Sequence, residues 1–356
     1  MNGKKVVGID LAKRTFESVR MQDGEKDKWY RGKTGQGDRM KFYEYLDADD
    51  IVILEAGSMA FLMAKEIKKY AGCEVYVLNP SELHIIFKSL KKNDKEDAKK
   101  LARLGLRNPI DELPLVPVPS DSEEKMRRLV ARQAYLKRDL TQQKNRLHGL
   151  FVKAGIVNIK KSELAGKANR EKTVEQLPGD LRDEAYMLME VMNMLERQLK
   201  KAEQDIKKQL KANPGYTNLV LSMPGIGPIM AASLLAYVGD GKRFTKPNQI
   251  SYYAGLVPKL KSSGEMMHHG HILQKGCKAL RRNAVQSANG LLTSRYQGPL
   301  RDFYDRISKR RGKKIAKVAL ARKMLETIYV MLSTGEMFRD SWENMLPQKL
   351  KYYGLT

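Results

Sequence analysis

Asp10 closes the apolar run VVGID, and Glu55 stands near the end of the apolar run IVILEAG (51–57). Each is a carboxylate at the edge of a stretch otherwise fit for a protein interior. If the two stretches are neighbouring strands of one sheet, both acids come to one edge. A second pair, Asp94 and Asp97 in KKNDKEDAKKL, is spaced by three at a helix start and shares a helix face. Four carboxylates converging on one place repel each other unless a cation lies between them. Hard oxygen ligands select Mg2+ or Mn2+, and two such ions can stabilise the attacking and leaving oxygens at a phosphodiester. Taken singly, the acids have plainer uses. Asp94 and Asp97 suit a helix N-terminus, where negative charge offsets the dipole, and Glu55 suits a strand-end ion pair. The set of two strand-end acids and a later helical pair, in ribonuclease-H-like element order, points to metal binding by Asp10, Glu55, Asp94 and Asp97.

The pattern of the chain supplies the elements that must hold them. Residues 4–10, 15–22 and 26–33 read as a three-strand meander, strongly apolar first and half-polar after. A helix at 40–46, a strand at 51–57, a helix at 58–71, a strand at 73–79, a short helix opening at Pro80 and a helix from Asp94 to Leu106 follow. That order predicts an α/β N-terminal domain over 1–110, with a ribonuclease-H/resolvase-like mixed sheet. The stretch DELPLVPVP (111–119) reads as a linker. Beyond it, 121–154 is a charged helix with leucines near heptad spacing. After Pro178, the positions Leu181, Ala185, Leu188, Met192, Leu195, Leu199, Ala202 and Ile206 alternate steps of four and three. Residues 121–212 are therefore expected to form a coiled-coil helical pair, closed within the chain or shared with a second copy. A mostly α C-terminal domain over 213–340 and a tail over 341–356 complete the expected order.

The net charge is +25, from 66 basic against 41 acidic residues. So large an imbalance costs self-repulsion and fits a polyanion partner. No stretch approaches the roughly 20 apolar residues of a membrane-spanning helix. Cys73 and Cys277 stand far apart, which indicates neither a disulfide framework nor a cysteine zinc site. A soluble, reducing compartment containing nucleic acid fits best, with no signal peptide expected ahead of the first strand.

VVGIDLAK, LEAG and KNDKEDAKKLA, in this order and spacing, resemble the N-terminal domain of the DEDD-type insertion-sequence transposases, a domain that looks like a Holliday-junction resolvase. SMPGIGPIMAASLLAYVGD, FTKPNQISYYAGLVP, SSG and KGCKALRRNAVQSA resemble that family's C-terminal transposase domain, so the likeness covers most of 4–335. The resemblance implies a DNA recombinase with a composite site. The family's acidic residues map onto Asp10, Glu55, Asp94 and Asp97, and its nucleophilic serine onto Ser263, with Ser262 directly beside it. It further implies guidance by a structured non-coding bridge RNA that pairs with donor and target DNA. Action as a dimer or tetramer, in the nucleoid-containing cytoplasm of a prokaryote, is implied as well. Where the family often runs basic after Ser-Gly, this chain has EMMHHGH.

A serine hydroxyl is a weak nucleophile and needs activation. Attack by serine rather than water would keep the phosphodiester's energy in a covalent link, so strands could be resealed without ATP. No Walker-type motif occurs, and no nucleotide cofactor is expected. By its own chemistry Ser-Ser-Gly is an ordinary turn; the resemblance alone raises Ser263 to a nucleophile. The competing function is a metal-dependent, structure-specific nuclease that uses water. PGIGP, with Gly225 and Gly227, resembles the hairpin of helix-hairpin-helix modules, whose amides meet phosphates, or else is a plain helix connection. Lys259, Lys261, Lys275, Lys278, Arg281 and Arg282, against Glu265 alone, read as a DNA backbone track or as a solvated surface. His268, His269 and His271 lack a fourth ligand at suitable spacing for zinc.

Overall fold

Alternation along the first apolar run separates two faces of a sheet. The structure, a computed structural model, describes residues 4–86, 94–263, 266–273, 275–339 and 345–356. It divides into two compact units, 1–120 and 121–356.

In the first unit, β1 (Val6–Leu11), β2 (Thr15–Met21) and β3 (Lys28–Lys33) form the meander. Helix α1 (Gln36–Tyr45), β4 (Ile51–Glu55), α2 (Ala60–Tyr70), β5 (Glu74–Leu78), α3 (Pro80–Ile86) and α4 (Asp94–Arg107) follow. The five strands make one mixed sheet in the order β3-β2-β1-β4-β5. β1 is antiparallel to β2 and parallel to β4, and β4 is parallel to β5. This is the mixed sheet the sequence predicts. Side chains alternate across a strand with period two. Val7, Ile9, Val52 and Leu54 accordingly pack with Phe42, Met63 and Ile67 on the side of α1 and α2. Val6, Val19, Ile53 and Leu78 pack with Ala98, Leu101 and Ala102 of α4 on the other. The proline-rich stretch runs along the outer edge of β5. There the Val116 amide donates to the Val77 carbonyl at 2.7 Å and the Asn79 amide to that of Pro114 at 2.8 Å.

In the second unit, α5 (Asp121–Lys153) and α7 (Gly179–Lys211) pack antiparallel, with α6 (Lys167–Val174) between them in the chain. Leu136, Leu140, Leu147 and Leu150 meet Ala185, Met189, Met192 and Leu195 along the predicted seam. Met126 and Val130, at the other end of α5, share a core with Ile206 and Leu210. The seam is thus closed within the chain. Arg170 of α6 is fully buried, and its guanidinium donates to both carboxylate oxygens of Glu196 on α7, at 3.0 and 3.2 Å.

The remaining elements are α8 (Pro214–Leu221), α9 (Pro228–Tyr237), α10 (Pro247–Tyr253), β6 (Pro258–Ser263), β7 (Met266–Ile272), α11 (Lys278–Thr293), α12 (Pro299–Arg311), α13 (Lys313–Thr334) and α14 (Met345–Tyr353). α9, α11 and α13 supply much of the core, through Leu234, Ala284 and Leu325 among others. The β6–β7 hairpin interrupts a region read as mostly α, with no strand assigned in it. KLKSS and MMHHGHI carry few β-branched or aromatic residues, so propensity gives little sign of strands there. No helix among the described residues is long and apolar enough to cross a membrane.

Candidate active site

Ile9 on β1 is level with Leu54 on β4, so Asp10 and Glu55 are next in line on adjacent parallel strands. Both lie at the carboxyl ends of those strands, where open α/β sheets place their ligands. Period two puts Asp10 on the face that Gly8 presents to α4.

The approach of α4 to that face is unusually close. A Cβ built on Gly8 would stand 2.1 Å from the Ala98 carbonyl oxygen and 2.5 Å from the Ala102 nitrogen. A Cβ on Gly105 would stand 2.2 Å from Ile53 Cδ1 and 2.9 Å from Val6 Cγ1. Gly105 thus lies over Val6, and Ala98 over Gly8, so the helix runs antiparallel to β1. The four helix residues from Ala98 back to Asp94 rise about 6 Å, and the two strand residues from Gly8 to Asp10 span about 6.6 Å. Asp94 and Asp97 arrive at Asp10 by that arithmetic. Sequence reading singled out the acids and missed the glycines that seat them. The available signal was a glycine inside an otherwise bulky strand, which marks close approach of another backbone.

Asp10 records the result electrostatically. Its carboxyl is pushed up to about 6, first by burial and then by the negative charges of Asp94, Asp97 and Glu55, while the Leu11 amide works the other way. Asp94, Asp97 and Glu55 thus each lie within electrostatic reach of Asp10. Asp97 already holds a cation, the Lys100 ammonium at 2.6 Å. Glu17, level with Asp10 on β2, is a fifth carboxylate that sequence reading did not assign, and Arg31 pairs with it at 3.0 Å. Among the described residues, no three acidic, histidine or cysteine side chains close on a single point as a finished metal cage. Asp10 is repelled by the other three acids, and their donor set, oxygen only with an ammonium already drawn to Asp97, fits a hard divalent cation.

Ser263 is the last residue of β6 and pairs with Met266 of β7, as Ser262 does with Met267. Gly264 and Glu265 lie outside the described residues, as do the side chains of Lys261, Ser262, Ser263, His268, His269 and His271. Lys259, Lys275, Lys278 and Arg282 are exposed. Arg281 turns inward and donates to the Ala254 carbonyl at 2.9 Å. Gly225 has φ +81°, and a Cβ there would meet the Ser287 carbonyl oxygen at 2.5 Å, so the PGIGP turn packs flush on α11. Gly227 is the N-cap of α9, with no side chain capping that helix. The acids belong to the first unit, and Ser263 with the basic residues to the second.

Two family models match the chain, the first holding the four acids and running on through α5, the second holding Ser263. A family model described as a transposase, of the DEDD type of IS110, matches residues 7–155. A second, the transposase IS116/IS110/IS902 family, matches 217–305. The chain is 26% identical to the transposase for insertion sequence element IS1328 of Yersinia enterocolitica, over 94% of this chain and 98% of that one. It is 27% identical to the transposase for insertion sequence element IS1111A of Coxiella burnetii, over 95% and 92%. The pilin gene-inverting protein of Moraxella bovis is 24% identical over 94% and 98%. The chain belongs to the DEDD-type, IS110 family of insertion-sequence transposases and recombinases.

Proposed function

We propose that this transposase cuts and rejoins DNA strands through a covalent bond to Ser263, with Asp10, Glu55, Asp94 and Asp97 holding Mg2+ or Mn2+. The observation that carries the reading is the crowding of negative charge on Asp10 by the other three acids. A divalent ion bound there supplies Lewis-acid stabilisation of the phosphate under attack and of the oxygen that departs. The protein's own part is to hold four oxygen donors at one sheet edge and to present Asp10 ionised. Ser263 Oγ gives up its proton and forms a bond to phosphorus as the bond from phosphorus to the sugar oxygen breaks, and that oxygen takes up a proton and departs as the sugar hydroxyl. One ester thus replaces another, and the reverse exchange seals a new strand. Glu17, level with Asp10 on β2, is paired with Arg31 and keeps its own counter-charge.

The +25 charge suits a protein that handles two polyanions, donor or target DNA and a structured guide RNA. The partners of this reading are therefore DNA, a bridge RNA and further copies of the chain. The competing reading, a nuclease in which water attacks, predicts a different outcome for one substitution. With DNA carrying the element's own flanks and Mg2+, Ser263→Ala is expected to abolish both cleavage and strand joining. Cleavage that persists at the wild-type rate would move the water mechanism to the front.

A further inference from the structure

The α8–α9 turn, one face of α5 and the first half of α11 enclose a cleft of about 1010 Å³ within the second unit. That is the upper end of the range of ligand pockets, roughly 300–1,000 Å³. Along α5, Gln133, Lys137 and Thr141 follow at four-residue intervals with Arg138 beside them, a continuous stripe on one helix face. Across from them, Lys278, Arg282 and Gln286 repeat the same interval on α11. The described residues lining the cleft include no Asp or Glu. The carboxylate nearest in sequence, Asp139, pairs with Arg138 at 3.2 Å, but Arg138 is 69% exposed and such a surface pair holds weakly.

Two further features suit one ligand class. The floor of the cleft is the first turn of α9, which begins at Pro228 without a side-chain cap. Pro228 has no N–H and the Ala231 amide donates to the Gly227 carbonyl at 3.0 Å, so the Ile229 and Met230 amides are the ones left at the positive end of the helix dipole. Two aromatic side chains line it: Tyr135, 46% exposed, on α5, and Tyr353, whose hydroxyl end lies 3.2 Å from a Cβ built on Gly227. Cationic rows for phosphates and aromatic faces for bases are the combination that holds single strands with little sequence preference.

We infer that this cleft binds a single-stranded segment of nucleic acid, with Lys137 and Arg138 of α5 and Lys278 and Arg282 of α11 contacting its phosphates. This rests on the reading of the chain as a nucleic-acid enzyme and adds a function for α5, whose sequence pattern reads only as a helical seam. The test uses the full-length chain and fluorescent twelve-residue probes of one mixed sequence, as single-stranded DNA, single-stranded RNA and duplex DNA. Binding is followed by anisotropy across a salt series.

Lys137→Gln with Arg138→Gln is expected to weaken single-strand binding about tenfold and to lower the salt slope by about two, with duplex binding changed less than about twofold. Lys200→Gln with Lys201→Gln, which removes the same charge from exposed positions of α7, is expected to change neither. Selective loss with either sugar supports the cleft, and the more affected probe identifies DNA or RNA as the strand it takes. Equal losses in the two double variants, or none in the first, would overturn it while leaving the transposase reading intact. Failure of the wild-type chain to bind any probe would overturn both.

Discussion

At the scale of the residue, Asp10 does two opposed things. Its carboxylate is the centre of the proposed cation site, and in the cation-free fold its charge is a burden. A carboxyl held at about 6 against an ordinary 3.8 keeps its proton in the folded state when the unfolded chain would lose it. The folded state is therefore penalised as pH rises from about 4 through 6, and the full penalty is present at pH 7. Asp10→Asn removes that penalty. In chelator at pH 7.5 the variant is expected to melt a few degrees higher than the parent, an effect of about 1–3 kcal/mol, while supporting no strand transfer. Added Mg2+ is expected to raise the parent's melting temperature and leave the variant's unchanged. A variant that melts lower in chelator would show that Asp10 is held by partners other than the repelling acids.

At the scale of the element, the site depends on α4 lying against β1 at backbone distance. Gly8→Ala puts a methyl 2.1 Å from a carbonyl oxygen that belongs to the helix and cannot swing away. Overpacking of this kind costs typically 1–3 kcal/mol. It is also expected to lift Asp94 and Asp97 from Asp10, lowering strand transfer by at least about tenfold at temperatures where the variant remains folded. Melting and transfer measured side by side separate the two effects. Full activity in a folded variant would mean that the helix tolerates the shift and that the quartet is not set by this contact.

Much of this element was legible beforehand. VVGID and IVILEAG announced buried strands, and the spacing of Asp94 and Asp97 placed both on one helix face. The seating of α4 was not legible, because a glycine's close approach depends on which element crosses it. Register hid Glu17 for the same reason: only strand pairing brings it level with Asp10. The β6–β7 hairpin went unseen because its residue types carry weak strand preference, although Ser263 itself was singled out through the resemblance of its surroundings. In the second unit the heptad steps foretold a paired helix, yet left open whether the partner lay in the same chain.

At the scale of the whole molecule, acids and serine lie in separate compact units, and basic residues exceed acidic ones by 25. Protein purified from cells that also carry its element's flanking DNA is expected to bring down one discrete structured RNA encoded beside its gene. A smear of cellular RNA would show general polyanion binding and remove the guide from the account.

The central claim is the serine ester, and it can be seen directly. Labelled DNA with the element's own ends, incubated with the RNA-loaded protein and Mg2+ and then denatured, is expected to migrate with the polypeptide. Digestion and mass spectrometry should place a nucleotide on Ser263, and both Ser263→Ala and Asp10→Asn should lose the adduct. Cut DNA with no adduct, or an adduct on another residue, would contradict the account.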